Sequence, residues 1–376
     1  MKKSIILIGP VYPYKGGIAH YTSLMYRELA KKCNVEMISY KMQYPKFLFK
    51  KEQKDYSNQM FKVASAKFLI NTANPFNIIK VAYQIRKANP EMVIIQWWHP
   101  YFAPCYYILS GIIGKKIKKV YVCHNVFPHE RFPLDKFLTK LVLKSGDGFV
   151  VHSKSDGEDL LEIKPNAKFI QNPIPTYDTF KVRDLSKEEA REELGIEIDT
   201  KLILFFGFVR EYKGLKHLLK AFPVIKSELN NVKLLIVGSF GEDKEDYVNL
   251  VNEINLPENI QIVDEYIPDN EVEKYFVASD IVAIPYESAT QSGIVQLAYE
   301  FEKPVVVTEV GGLPDVVRDG ETGYIIPPKD SKSLSEAIIR FFHEESREKY
   351  AKNISKNSEL FSWEGLIEKI LVSFSK

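Results

Sequence analysis

The sequence predicts an α/β protein made of two doubly wound parallel sheets, each Rossmann-like and facing a cleft. Three observations carry this. Short continuous apolar runs, such as residues 202–206 and 281–285, have the composition of strands buried on both faces, which is the pattern of parallel sheets. Amphipathic segments of helix length lie between them, so strand and helix alternate along the chain. The chain is 376 residues long, enough for two cores, and the alternation breaks once at QNPIPT (171–176), a proline-rich stretch that reads as an interdomain linker.

In chain order, residues 4–8 form the first strand. The turn 9–17 ends in Gly16-Gly17, and 18–32 is an amphipathic helix. Strand, glycine-containing turn and helix is a layout that holds phosphate on unpaired helix N–H groups. It is not GxGxxG, and a tight turn without ligand reads the same. Residues 35–39 are a strand. The segment 40–54, YKMQYPKFLFKKEQK, then interleaves aromatic rings with lysines. That suits a membrane interface or single-stranded nucleic acid, and equally a surface loop with a few rings tucked inward. A helix at 77–89 leads to the strand 92–96, which ends in Trp97-Trp98-His99-Pro100. The helix 106–113 and the basic run 115–119 precede the strand 120–123, which ends in His124-Asn125. Residues 136–145 form a helix, 148–151 a strand ending at His152, and 168–170 a short strand. Three histidines at strand ends point to a cleft, because ligands of open α/β sheets sit at the carboxyl ends of strands.

After the linker come a helix (187–194), the strand 202–206, the turn GFVREYKG (207–214) and a helix at 215–228. Arg210 and Lys213 in that turn suit a diphosphate: arginine offers forked donors and lysine a point charge. Strands at 233–237 and 260–263, helices at 247–255 and 271–278, and the strand 281–285 follow. The cluster SATQSG (288–293) opens a helix at 294–301. Backbone N–H groups there favour an anion, though an ordinary N-cap has the same residues. The strand 304–308 ends before Gly311-Gly312, a short helix at 313–318, turns at 320–323 and 327–328, and helices at 331–343 and 361–374.

The net charge of +2 hides an asymmetry. Residues 1–175 hold 27 Lys and Arg against 12 Asp and Glu, a balance of +15, and residues 176–376 hold 24 against 37, a balance of −13. A basic half fits an anionic partner, nucleic acid or a lipid surface. Cys33, Cys105 and Cys123 lack metal-ligand spacing and read as reduced core residues of a cytosolic protein. The opening MKKSIILIGP has too short an apolar run for a signal peptide, and no segment reaches the about 20 apolar residues of a membrane span.

These residues together resemble the retaining nucleotide-sugar glycosyltransferases of family 4 (glycosyltransferase group 1), which have the GT-B fold. The resemblance spans nearly the whole chain. It rests on Gly16-Gly17, His124-Asn125, Gly207…Arg210…Lys213-Gly214, the 283–317 stretch, EVGGLPDVVRDGETGYIIPPKD (309–330) and Phe361-Ser362-Trp363-Glu364. It implies an acceptor-side domain at 1–175, a nucleotide-sugar domain at 176–358, and a last helix, 359–376, returning to the first. It implies transfer of a sugar from a UDP- or GDP-sugar to a glycan or glycolipid acceptor with retained configuration, in cell-surface polysaccharide assembly. No cofactor and no metal are expected, which accords with the absence of an Asp-x-Asp motif. The candidate catalytic residues are His124, Arg210 and Lys213. The candidate donor-binding residues are Gly16, Gly17, Gly207, Arg210, Lys213, Ile267, Glu287, Thr290, Gln291, Ser292, Gly293 and Ile294. On the acceptor or membrane side the candidates are His99, Asn125, Lys46, Phe47, Phe49, Lys50 and Lys51. The expected partners are the donor, a glycan or lipid-linked acceptor and an anionic membrane surface, without nucleic acid; the expected location is the cytoplasm, at the inner face of the plasma membrane.

The chain departs from the family at two places. Where many members carry a Glu-x7-Glu pair, alignment on Lys303-Pro304 puts Ala289 and Leu297, and Phe208 stands where many have arginine. A catalytically silent relative that binds nucleotide or glycan is therefore the alternative function. A nucleotide-sugar epimerase would need an acid/base carboxylate constellation that the sequence lacks, and nucleic-acid binding has only the basic half in its favour.

Overall fold

The computed structural model describes residues 2–48, 52–56, 59–128, 132–241, 244–344 and 347–374. Two compact units divide the chain. One comprises residues 1–173 with 362–376, the other residues 174–361.

The first unit is a parallel sheet of β1 (Ser4–Ile8), β2 (Asn34–Met42), β3 (Lys67–Asn71), β4 (Met92–Trp97), β5 (Lys118–Cys123), β6 (Gly148–Val151) and β7 (Phe169–Gln171). Its order is β3-β2-β1-β4-β5-β6-β7. The central strand β4 is buried along its whole length, including Gln96, its single polar residue. Helix α1 (Gly17–Lys32) carries the chain from β1 to β2. Helices α2 (Pro75–Ala88), α3 (Ala103–Ile113), α4 (Asp135–Leu143) and α5 (Lys154–Ile163) carry it in the opposite direction, from β3 through to β7. Right-handed crossovers therefore place α1 on one face and α2 to α5 on the other. The last helix, α13 (Trp363–Phe374), packs on α1, and α3 lies between α2 and α4.

The second unit is a parallel sheet of β8 (Lys201–Phe206), β9 (Val232–Val237), β10 (Ile260–Val263), β11 (Ile281–Ile284), β12 (Val305–Thr308) and β13 (Gly323–Ile326), in the order β10-β9-β8-β11-β12-β13. Its helices are α6 (Lys187–Leu194), α7 (Leu215–Glu228), α8 (Lys244–Ile254), α9 (Val272–Ala278), α10 (Gly293–Glu300), α11 (Ser331–His343) and α12 (Arg347–Lys356). Ser186 and Glu189 form a reciprocal capping box at the start of α6. Arg191 of α6 is almost fully buried, with Nη2 3.1 Å from the equally buried Asp280 and Nε donating to the Ala278 carbonyl. Asp280 also receives Lys187 at 2.7 Å and the Leu202 N–H at 2.8 Å. The carboxylate is thus fully satisfied, and removing one partner from such a buried pair costs about 3–5 kcal/mol.

The structure corrects several expected elements. β3, β13, α5 and α12 were not read from the sequence. β13 is four residues between glycine and proline turns, and Gly323 is there because a Cβ would lie 2.2 Å from the Val305 carbonyl oxygen. Residues 313–318, expected as a helix, are turns. The basic run 115–119 is not all solvated: Lys119 is buried, and its Nζ donates to the Gly114 and Ile117 carbonyls at 2.9 and 3.2 Å. Tyr40 likewise belongs to β2 and the core, not to a surface segment. Among the described residues no helix is long and apolar enough to cross a membrane.

Candidate functional site

In the second unit, four strands deliver their carboxyl ends to one set of interlocked turns. Gly207 follows β8 with φ 106° and hydrogen-bonds to Val237 at the end of β9. Gly238, φ 142°, lies so close that a Cβ on it would sit 2.1 Å from the Gly207 carbonyl oxygen. Farther on, Gly214 has φ 67°, and a Cβ there would lie 1.9 Å from the Pro285 carbonyl oxygen after β11. The Glu287 N–H donates to the Tyr212 carbonyl at 2.6 Å, and the Gly312 N–H to Thr290 at 2.9 Å. Gly311, after β12, has φ 53°; its Cβ would lie 1.6 Å from the Ala289 carbonyl oxygen. Glycine is required at these positions by both conformation and space.

Lys213 is brought into this cluster. Its Nζ lies 3.1 Å, and the Ile294 Cδ1 3.6 Å, from the point where a Gly207 Cβ would be. Ile294 of α10 therefore shares one place with Gly207 and Lys213 of the turn after β8. The ammonium stands over the Tyr286 ring at 5.7 Å. Burial lowers its pKa, and the neighbouring Arg210 lowers it further against an opposing contribution from Tyr212. Among the described residues no carboxylate lies within ion-pair distance of Lys213 or of the exposed Arg210. Two cations without a counterion at the start of α7 form a site that an anion would complete.

Ser292 is the N-cap of α10, its hydroxyl accepting from the Ile294 N–H at 3.2 Å. Gly293 stands beside Tyr177, with ordinary contact distance left for a Cβ. Thr290 and Gln291 are half-buried, and Ile267 is buried after β10. Glu287 has both oxygens engaged: Oε1 by Lys216 at 2.9 Å and His217 at 2.8 Å, and Oε2 by Lys329 at 3.1 Å. Burial works to raise its pKa, but the hydrogen bonds from Lys216, His217 and Lys329 outweigh it and hold the carboxyl at about 2. The sequence reading named Glu287 as a contact for sugar hydroxyls and missed these three partners, which lie 70, 71 and 42 residues away. It also passed over Gln296, one turn into α10, whose buried Oε1 has no hydrogen-bond partner among the described residues.

Residues 186–360 match the family model described as glycosyl transferases group 1. Over these residues the second unit is similar to the glycosyl transferases of group 1. The chain is similar to the D-inositol 3-phosphate glycosyltransferase of Corynebacterium glutamicum, 24% identical over 232 residues, covering 59% of this chain and 55% of that protein. It thus spans about half the length of the curated relatives it matches. Among solved structures, the sucrose-phosphate synthase of Thermosynechococcus elongatus aligns over 100% of both chains with a TM-score of 0.75 and 19% identity. HepE of Anabaena, solved with UDP, aligns over 99% of this chain and 100% of its own, with a TM-score of 0.73 and 17% identity. These likenesses show the fold, the GT-B pairing of two Rossmann-like units.

In the first unit, His124 ends β5. Its N–H donates to the Trp97 carbonyl, and its Nε2 lies 2.7 Å from the Gln96 side-chain carbonyl, so that Nε2 carries the proton. Tyr21 of α1 meets both His124 and His152 edge-on, at 4.7 and 5.3 Å. Burial, then the neighbouring His152, pushes the His124 pKa well down, which leaves a neutral imidazole. Gly9 packs against this group, since a Cβ on it would lie 2.5 Å from the Gln96 side chain. Gly16, φ 101°, is instead the N-cap of α1 with open space around it, and Gly17 is exposed.

The other strand-end histidines have partners of their own within the first unit. His152 is fully buried and donates from Nδ1 to the Asn172 carbonyl at 2.8 Å. His99 accepts from the Tyr101 N–H at 3.0 Å, capping a 3-10 turn, and stacks on Phe132. Asn125 is half-buried beside His124. Lys46 and Phe47 are exposed, whereas Phe49, Lys50 and Lys51 lie outside the described residues.

Proposed function

We propose that the chain transfers a hexosyl group from a UDP- or GDP-sugar to a glycan or lipid-linked acceptor, with retained anomeric configuration, in cell-surface polysaccharide assembly at the inner face of the plasma membrane. The observation that carries this is the pair Arg210 and Lys213, without counterions, at the glycine turns of a unit similar to the group 1 glycosyl transferases. The leaving group is a nucleoside diphosphate. As the glycosidic bond lengthens, negative charge builds on its terminal phosphate, and a fixed ammonium beside helix N–H groups stabilises that charge without reorganising. Lys213 and Arg210 would provide the positive charge, so the reaction as proposed uses no metal. Glu287, with its carboxyl held at about 2 by hydrogen bonds from Lys216, His217 and Lys329, is a poor nucleophile and a poor acid at neutral pH. That supports a retaining route in which the departing phosphate itself assists the acceptor hydroxyl on the same face. His124, neutral and with its Nε2 proton held by Gln96, has Nδ1 as an acceptor and is suited to orienting a hydroxyl rather than to carrying charge.

The test is a panel of UDP- and GDP-sugars incubated with the full chain and a lipid extract, with and without a chelator. Release of nucleoside diphosphate coupled to a new glycosylated product, unaffected by chelator, is the expected result, and proton coupling constants of the product report its anomeric configuration. Ala289 and Leu297 in place of the common glutamate pair favour the second reading, a nucleotide-binding relative without turnover. Nucleotide binding with no product from any donor would establish that reading instead.

A further inference from the structure

The helix layer formed by α2, α3 and α4 gathers residues that lie far apart in sequence. On α2, Phe76, Ile79 and Tyr83 follow helical spacing opposite the buried Ile78, Val81, Ala82 and Ile85. Phe76 is 84% exposed and Tyr83 58%. On the adjacent α3, Tyr107 is 52% exposed, and on α4, Phe137 is 62% exposed. The cations of the same layer are exposed too: Lys80, Arg86 and Lys87 on α2, Lys115 and Lys116 just past α3, and Lys136, Lys140 and Lys144 on or beside α4. Across the three helices Asp135 alone is acidic, and it is buried. Lys136 pairs with Glu162 of α5, which marks the edge where acidic residues begin. Arg86 Nη1 donates to the Ile112 carbonyl at 3.3 Å, tying α2 to α3.

Single exposed apolar side chains are ordinary, but four rings on three neighbouring helices, set among eight cations and with no exposed carboxylate on the helices themselves, are not. We infer that this layer is a docking surface for an anionic lipid bilayer. Charge complementarity fixes the occupant: lysines reach headgroup phosphates while Phe and Tyr rings settle at headgroup depth, and a broad helix layer matches a plane. The surface differs from the β2–β3 connection, where Phe47 and Leu48 are exposed. It does not depend on the sugar-transfer reading, since binding can be measured without donor.

The experiment is co-sedimentation of the full chain with vesicles of phosphatidylcholine alone or mixed with phosphatidylglycerol, at rising salt. Binding to the anionic vesicles, weakening with salt, is expected. Lys80→Glu with Lys87→Glu should lower the partition coefficient at least about tenfold, and Phe76→Ala with Tyr83→Ala should lower it at both low and high salt. Lys220→Glu, an exposed lysine on α7 of the second unit, should leave the binding intact. Circular dichroism confirms that the variants fold, as their exposure leads one to expect. Equal binding of all variants, no binding of the unmodified chain, or binding to single-stranded nucleic acid in place of vesicles would each overturn the proposal.

Discussion

Lys213 and Glu287 border the same turns and differ in what surrounds them. Glu287 is held by Lys216, His217 and Lys329, whereas Lys213 is enclosed beside Arg210 with no carboxylate in reach among the described residues. An anion should therefore bind at Lys213. Lys213→Ala is expected to weaken nucleoside diphosphate binding by about 1.5–3 kcal/mol, and the exposed Arg210→Ala by less, in isothermal titration. Equal affinities for both variants and the parent would remove the diphosphate from this turn. His152 supports a prediction of a different kind. Burial, partly offset by its bond to the Asn172 carbonyl, pushes its pKa down to about 4. The unfolded chain takes up a proton near pH 6.5 but the folded chain does not until about 4. Stability should be complete above pH 6.5 and fall as pH drops toward 4, then level off. His152→Asn keeps a donor for Asn172 and should flatten that part of the melting-temperature profile; an unchanged slope would assign the acid sensitivity to other groups.

At the scale of elements, the glycines of the turns separate into two kinds. Gly311 has a left-handed φ and a carbonyl oxygen 1.6 Å from where its Cβ would be, so the turn after β12 cannot accept a side chain without moving the turn before α10. Gly293 has ordinary φ and room. Gly311→Ala is expected to lower the melting temperature by several degrees, in line with about 2–4 °C per kcal/mol for a unit of this size. Gly293→Val should melt as the parent does and lose turnover, because only an approaching ligand would meet the added side chain. A folded, fully active Gly293→Val would show that the N-terminus of α10 is a cap and no more.

At the scale of the molecule, the first unit is completed by the last helix of the chain. Leu366, Ile367, Ile370 and Phe374 of α13 are buried, Trp363 meets Tyr21 at 4.8 Å, and Phe374 fits against Gly148. Lys369 reaches the Asn172 side chain at 2.8 Å. Burying each apolar side chain contributes roughly 1.5–3 kcal/mol, so the four together rival the net stability of a whole domain. Removing residues 362–376 should therefore unfold the first unit and spare the second. Hydrogen exchange would show it: amides of α1 and β1 lose protection while those of β8 and β11 keep it. Uniform loss in both units would mean that they fold as one.

The sequence alone was sufficient for the α/β class, the two sheets, most strands and the position of Arg210 and Lys213 in the turn after β8, because these are written in short windows: continuous apolar runs, and charges placed just after them. Family resemblance could be read from the same local strings. What spans the chain could not. β13 and α5 are short and carry glycine, so their identity comes from the neighbours they pair with or pack on. The partners of Glu287 and the burial of His152 and Lys119 depend on residues tens of positions away. The aromatic-basic layer of α2, α3 and α4 depends on crossover handedness, which sorts helices onto faces only once the strand order exists. Local pattern decides which element forms; which residues share a surface is decided when the sheet assembles.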